Sequence, residues 1–328
     1  MEDDKKNVIK FFGIMIIYIL LSALGIFGQV GMALMPIVSI PFALYCMKNK
    51  MTLQFHIIFH IVVSASIYLM MQNVLGILIY IVSVVAPAYM ILYLYKQRLT
   101  LPNMIMYGGL LLSGIAFVYF AVMKGIGFDF EAQFGAVLDT ITKEFSMTLE
   151  NVISMGNTTG VNISELQATV AQTKELVAIS METLKAFYPA IVVSQIIICF
   201  GISIMIFNTL ARRKVKGLPS TGQILEYRLS KVAVVLLMIA MVLTDTSNSS
   251  SNEILVLALN LMSFLTNFFE ITGALSLIAL LRNTAVGRGI KLLGYVGIVL
   301  LFILSPYLLM FYGCLDAIFN YRKVSIVV

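Results

Sequence analysis

Apolar positions in this chain run unbroken for membrane length and are interrupted almost only by short Lys/Arg clusters. No charge occurs between Lys10 and Lys48, between Lys50 and Lys96, or from Leu99 to Met123. A soluble core helix carries a narrow apolar stripe, whereas a segment apolar all round for about 20 residues matches a hydrocarbon layer of roughly 30 Å. The pattern predicts an all-α, polytopic helical membrane protein. About nine transmembrane helices are expected, near 8–28, 32–47, 51–71, 75–95, 101–123, 188–210, 230–244, 254–281 and 292–320. The first two uncharged runs are too long for single spans; breaks at Gly25, Gly28 and Gly31 and at Gln72-Asn73 make each a hairpin. Pro36 and Pro41 bend the second helix or make that pair re-entrant. The run 292–320 is read as one crossing, because a fold-back at Ser305-Pro306 leaves arms of only about 14 residues, roughly 21 Å.

One long stretch breaks the pattern. Within 125–187, Phe134, Val137, Leu138, Ile141, Phe145 and Leu149 recur at steps of mostly three and four, and Leu166, Val170, Val177, Met181 and Leu184 do much the same. The spacing predicts two amphipathic helices around a flexible turn at Asn151 to Asn162. Three sections follow: a membrane bundle of about five helices over 1–124, the hairpin over 125–187, and a second bundle of about four helices over 188–328.

Charge orients the chain. With a cytoplasmic N-terminus, the inner side collects Lys5, Lys6 and Lys10, the clusters at 48–50, 96–98, 212–216 and 228–231, and Arg282, Arg288 and Lys291. The hairpin is then external and holds eight acids, from Asp129 to Glu182, of the 16 in the chain. A multi-pass protein of a bacterial plasma membrane is expected, with its first span uncleaved. At 60% hydrophobic and 12% charged residues the chain lies outside the soluble range, which argues against a water-soluble enzyme. The net charge of +6 follows from topology and does not imply nucleic acid. Cys46, Cys199 and Cys314 show no ligand spacing and read as small core residues; no metal or cofactor is expected.

Ionisable or strongly polar groups at membrane depth are costly and ask for a reason. Glu270 lies about 12 residues from Arg282, roughly 18 Å below the inner surface, and Asn260, Ser263, Asn267 and Glu270 share one helix face. His56 and His60 stand at i and i+4, with His60 at nearly the depth of Glu270. One reading is a shared site in which imidazoles and carboxylate bind a small polar ligand, a cation or a proton. The other is that these groups only make interhelical hydrogen bonds. The tract Arg212, Arg213, Lys214 and Lys216 attracts anionic headgroups or docks a cytoplasmic partner. Gly108, Gly109, Gly294 and Gly297 allow close helix approach.

The run Gly217-Leu-Pro-Ser-Thr-Gly-Gln-Ile-Leu-Glu-Tyr-Arg-Leu229, and the ending Leu304-Ser-Pro-Tyr-Leu through Gly313-Cys-Leu-Asp316 to Asn320-Tyr-Arg322-Lys, resemble the YybS-type family of uncharacterised bacterial membrane proteins. The aromatic commonly seen shortly after the Asp is missing. The resemblance marks Gly313, Asp316 and Arg322 as family-motif residues and implies a distant similarity to the substrate-binding subunits of energy-coupling-factor transporters. On a continuous helix Asp316 and Arg322 point about 240° apart, so they pair only if the helix breaks. Asp316 is expected to cap or neutralise a neighbouring helix, and Arg322 to anchor the chain at the headgroups.

Two classes of function remain. One is small-solute binding or transport with a separate energising partner, such as a cytoplasmic ATPase, since the chain has no Gly-x-x-x-x-Gly-Lys motif of its own. The other is a scaffold for envelope or division-related assembly, recruiting proteins through the hairpin and basic loops. An intramembrane enzyme is not expected: there is no HExxH, no GxSxG and no pair of intramembrane aspartates.

Overall fold

The computed structural model describes residues 12–20, 38–47, 53–72, 74–159, 163–212, 218–246, 252–283 and 287–322, and these hold helices and no strand. In chain order the helices are α1 (12–20), α2 (Val38–Met47), α3 (Leu53–Met71), α4 (Val74–Tyr80), α5 (Ala86–Lys96), α6 (Leu101–Gly125), α7 (Phe130–Thr159), α8 (Ile163–Ala186) and α9 (Tyr188–Ala211). After a 3-10 turn (Thr221–Glu226) come α10 (Lys231–Thr246), α11 (Asn252–Asn283), α12 (Arg288–Leu304) and α13 (Pro306–Phe319). Gly25, Gly28, Gly31 and Pro36 lie outside the described residues.

Four helical stretches are long and apolar enough to cross a membrane: Gly76–Lys96, Leu101–Gly125, Tyr188–Ala211 and Glu253–Arg282. They coincide with four of the expected spans. Large apolar side chains stand on their outer faces and on those of their neighbours; Leu69, Leu257 and Leu304 are 75%, 70% and 77% exposed. So much outward apolar surface is stable in hydrocarbon and not in water. The chain is a polytopic helical membrane protein.

The last expected crossing is not one straight helix. Its two arms, α12 and α13, meet at 112° across Ser305, whose φ of −150° and ψ of 65° are not helical. The break falls just before Pro306, where a proline biases its predecessor away from helical geometry. At the other expected break, α3 stops at Met71 and Gln72 takes a left-handed φ of 48°.

The chain divides into two compact units. One comprises Met1–Tyr119, Val193–Val235 and Thr266–Val328; the other comprises Phe120–Val192 and Leu236–Leu265. In the first, α6 and α9 are in close contact. A methyl on Gly109 would stand 3.0 Å from the Ile197 Cα, and one on Gly201 would stand 3.1 Å from Ile105. The crossing of α11 and α13 is tighter still, since a methyl on Gly273 would collide with the Leu309 carbonyl and one on Gly313 with the Phe269 carbonyl. Gly313 is therefore a packing residue. Gly294 packs on Leu281, but Gly297 faces open space, so its expected role in close approach does not hold.

In the second unit, Asp129 caps α7: its Oδ1 accepts from the Glu131 and Ala132 amides at 3.0 and 3.1 Å. Lys174 pairs with Glu150 at 2.6 Å and Lys185 with Asp139 at 2.8 Å. The two bases are spaced along α8 as the two acids are along α7, which fixes one antiparallel register. Leu138 and Val170 are buried, whereas Val137, Ile141 and Phe145 are exposed. The turn expected from Asn151 is shorter than its composition suggests, because α7 continues to Thr159.

Candidate functional site

Pro87 shapes the site. It has no amide hydrogen, and inside a helix its ring crowds the carbonyl four residues earlier, here that of Ser83. The helix widens over Ile81–Val85 into a π-turn, and the Ala86 amide reaches back to the Ile81 carbonyl. On a regular helix Tyr80 and Tyr89, nine residues apart, would point about 180° from each other. One extra residue in the π-turn reduces that to roughly 80°. Both hydroxyls then reach the histidines of α3.

The resulting chain of polar atoms is continuous. His60 Nδ1 lies 2.9 Å from the Tyr80 hydroxyl and His60 Nε2 lies 3.1 Å from that of Tyr89. The Tyr89 hydroxyl is also 2.9 Å from His56 Nδ1, which in turn stands 3.7 Å from Cys46 Sγ. Phe42 and Phe59, each 1% exposed, pack against the His60 ring at 4.9 and 5.3 Å. A neutral imidazole donates from one nitrogen and accepts at the other. The network can therefore run in two directions, from Tyr80 toward His56 or the reverse. Passing from one to the other by proton hops carries one net proton between its ends, which a ligand or solvent must supply at one end and accept at the other. Sequence reasoning found the two histidines. It missed Tyr80 and Tyr89, for which Pro87 inside an apolar span was the available signal, and it read Cys46 only as a small core residue.

The expected meeting of these histidines with Glu270 is absent: no hydrogen bond, ion pair or ring contact joins them among the described residues. Glu270 is half-buried on α11 and has no hydrogen-bond or ion-pair partner among the described residues. Asn267 donates to Ser194 Oγ at 3.3 Å. Asn260 works as a splice at the α8–α9 junction, accepting from the Ala190 amide at 2.9 Å and donating to the Ala186 carbonyl at 2.7 Å. Both asparagines have hydrogen-bond partners on other helices. No group of three metal-ligating side chains occurs among the described residues.

The family-motif residues behave differently from expectation. Asn320 adopts a left-handed φ of 52°, which ends α13 and turns the chain back. Arg322 therefore meets Asp316, Nε at 3.0 Å and Nη2 at 2.5 Å from Oδ2. Their side chains are 4% and 0% exposed, so Arg322 is no headgroup anchor. The same guanidinium donates to the Leu225 carbonyl and, at 2.7 Å, to that of Tyr227. Asn208, fully buried, donates to the Pro219 carbonyl at 2.8 Å. The segment from Pro219 to Tyr227 is thus a strap pinned at both ends. Arg228, expected at the inner surface, is 3% exposed beside it. Arg212 is exposed at the end of α9, and Arg213, Lys214 and Lys216 lie outside the described residues.

Among protein families, the one described as predicted membrane protein (DUF2232) matches residues 13–318. No curated protein and no solved structure matches the chain at a significant level.

Proposed function

We propose, for a chain that belongs to the DUF2232 family of membrane proteins, that it binds or moves a small polar solute with a separate energising partner. The observation that carries this reading is the His56–Tyr89–His60–Tyr80 network, a continuous hydrogen-bonded chain of two imidazoles and two phenols among apolar helices. Packing alone needs one hydrogen bond per polar group, whereas two imidazoles linked through one hydroxyl supply a group that changes charge or dipole as a ligand arrives. The YybS-type resemblance, with its distant similarity to energy-coupling-factor substrate subunits, points the same way. In this reading the remaining apolar segments also cross the membrane, about nine crossings in all. The N-terminus is cytoplasmic in a bacterial plasma membrane, and an ATPase is the partner.

The test is to purify the chain in mild detergent from the cell that makes it and identify retained small molecules by mass spectrometry. Wild-type protein should hold one metabolite near stoichiometry. Tyr89→Phe, which keeps the ring and removes the shared hydroxyl, should lose it while preserving the gel-filtration profile. Equal retention in Tyr89→Phe, or an empty wild-type protein, overturns the reading.

A scaffold role has one observation in its favour, the exposed apolar side chains of Val137, Ile141 and Phe145 along α7. It predicts that deleting 128–185 removes function while Tyr89→Phe leaves it intact.

A further inference from the structure

We infer that the cleft between the α5–α6 turn and the strap binds a phosphate-bearing anion, either a lipid headgroup or a free phosphate ester. The cleft measures about 550 Å³ and lies within one unit, between Tyr95, Arg98 and Thr100 on one side and Leu218, Pro219 and Gln223 on the other.

Its lining is one-sided in chemistry. Among the described residues Arg98 is the charged residue of the wall and no carboxylate lines it. Every polar side chain there can donate: the Arg98 guanidinium, the Tyr95 and Thr100 hydroxyls, and the Gln223 amide. Gln223 is oriented for this, because its Oε1 accepts from the Leu101 amide at 3.4 Å, and its NH2 group has no acceptor among the described residues. An anion with several acceptor oxygens satisfies such a wall, and a planar guanidinium suits phosphate in particular.

Two further observations point to an occupant. The Tyr95 hydroxyl is buried and has no hydrogen-bond partner among the described residues, although its ring is held by Phe207 at 5.1 Å. A buried hydroxyl left unpaired is costly unless a ligand or water completes it. Arg98 itself stands at a left-handed φ of 53° just past the end of α5, a position that glycine or asparagine fills more easily. The arginine stands there at a conformational cost, and it lines the cleft.

The walls are rigid. Asn208 fixes Pro219 and Arg322 fixes Leu225 and Tyr227, so the strap cannot close over the space without breaking buried bonds. The strap follows directly on Arg213, Lys214 and Lys216 in sequence, and α5 ends at Lys96. Bases of this density attract anions.

The experiment uses the full chain in detergent, with phosphatidylglycerol, phosphatidylcholine, glycerol phosphate or inorganic phosphate as probes. Bound lipid is read by native mass spectrometry and bound anion by thermal shift. Wild type should retain phosphatidylglycerol over phosphatidylcholine, or be stabilised by the free phosphates; the first result assigns a headgroup and the second a soluble ester. Arg98→Gln and Tyr95→Phe should each weaken that binding about tenfold, the loss expected for one charge-assisted hydrogen bond. Arg98→Lys, which keeps the charge without the forked geometry, should fall between. Arg98 is exposed and Tyr95→Phe keeps its ring, so both variants should fold, as an unchanged melting curve without probe will verify. If no probe distinguishes wild type from Arg98→Gln and Tyr95→Phe, the cleft is not an anion site.

Discussion

Asp316–Arg322 and Asp139–Lys185 are both acid–base pairs at hydrogen-bond distance, and they differ in almost everything that matters. The first is sealed, with side chains 0% and 4% exposed, and shares its guanidinium with two backbone carbonyls. The second lies on the α7–α8 hairpin with side chains 66% and 29% exposed, and Lys185 divides itself between Asp139 and Glu182. Water screens an exposed pair and can replace either partner, whereas a buried charge that loses its partner has nothing to replace it. Surroundings, not the identity of the pair, set what each contributes.

Breaking the buried pair should give the largest effect. Arg322→Met leaves a carboxylate uncompensated and frees the strap, which should lower stability by about 3–5 kcal/mol in thermal unfolding. Removing both charges in Asp316→Leu/Arg322→Met should restore much of that loss, because the desolvation cost of both ions disappears with their attraction. A double variant no better than Arg322→Met would show that the strap contacts, not the charge, dominate.

Next in size is the packing beside the pair. Gly313→Ala forces α13 away from α11, and overpacking of this kind costs about 1–3 kcal/mol. Gly297→Ala, at a glycine facing open space, should leave the melting temperature unchanged.

The hairpin should respond least, and through pH. The hydrogen bond from Lys124, then that from the Ala132 amide, holds the Asp129 carboxyl below the ordinary carboxylate range. A carboxyl favoured in its charged form on folding contributes fully above its unfolded pKa and loses that contribution as pH falls through its lowered folded value. Hairpin helicity, followed by circular dichroism, should therefore weaken on acidification below the usual aspartate range, and Asp129→Ala should remove that dependence. Hydrogen bonds to Asp139 and Glu182 raise Lys185, so its contribution is present at neutral pH and lost only as pH rises through its raised folded value. Lys185→Ala should leave the neutral-pH melting temperature within error, and a clear drop would show that the exposed pairs form a cooperative network.

Legibility in the sequence followed the range of the forces involved. The spans at 75–95, 101–123, 188–210 and 254–281 were readable because bilayer thickness alone sets their length. The α7–α8 hairpin was readable from its three-and-four spacing. The Asp316–Arg322 pair was not, because it depends on one residue, Asn320, adopting a left-handed conformation that reverses the chain. The helical-wheel argument that separated the two residues was sound for a continuous helix and failed at that residue. Half of the His–Tyr network was visible as an i, i+4 histidine pair. Its tyrosines, 20 and 29 residues from His60, were hidden by a phase shift that only the π-turn supplies.

The bond from Arg322 to the Leu225 carbonyl spans 97 positions in the chain. At about 5–20 residues per second, the ribosome adds that arginine roughly 5–20 s after it adds Leu225. Through that interval the Leu225 and Tyr227 carbonyls must be satisfied by water, lipid headgroups or the insertion machinery. The strap, rigid in the finished protein, is therefore among the last parts of the molecule to be set during synthesis. A ribosome stalled before Arg322 should display it accessible to proteases that the completed chain resists.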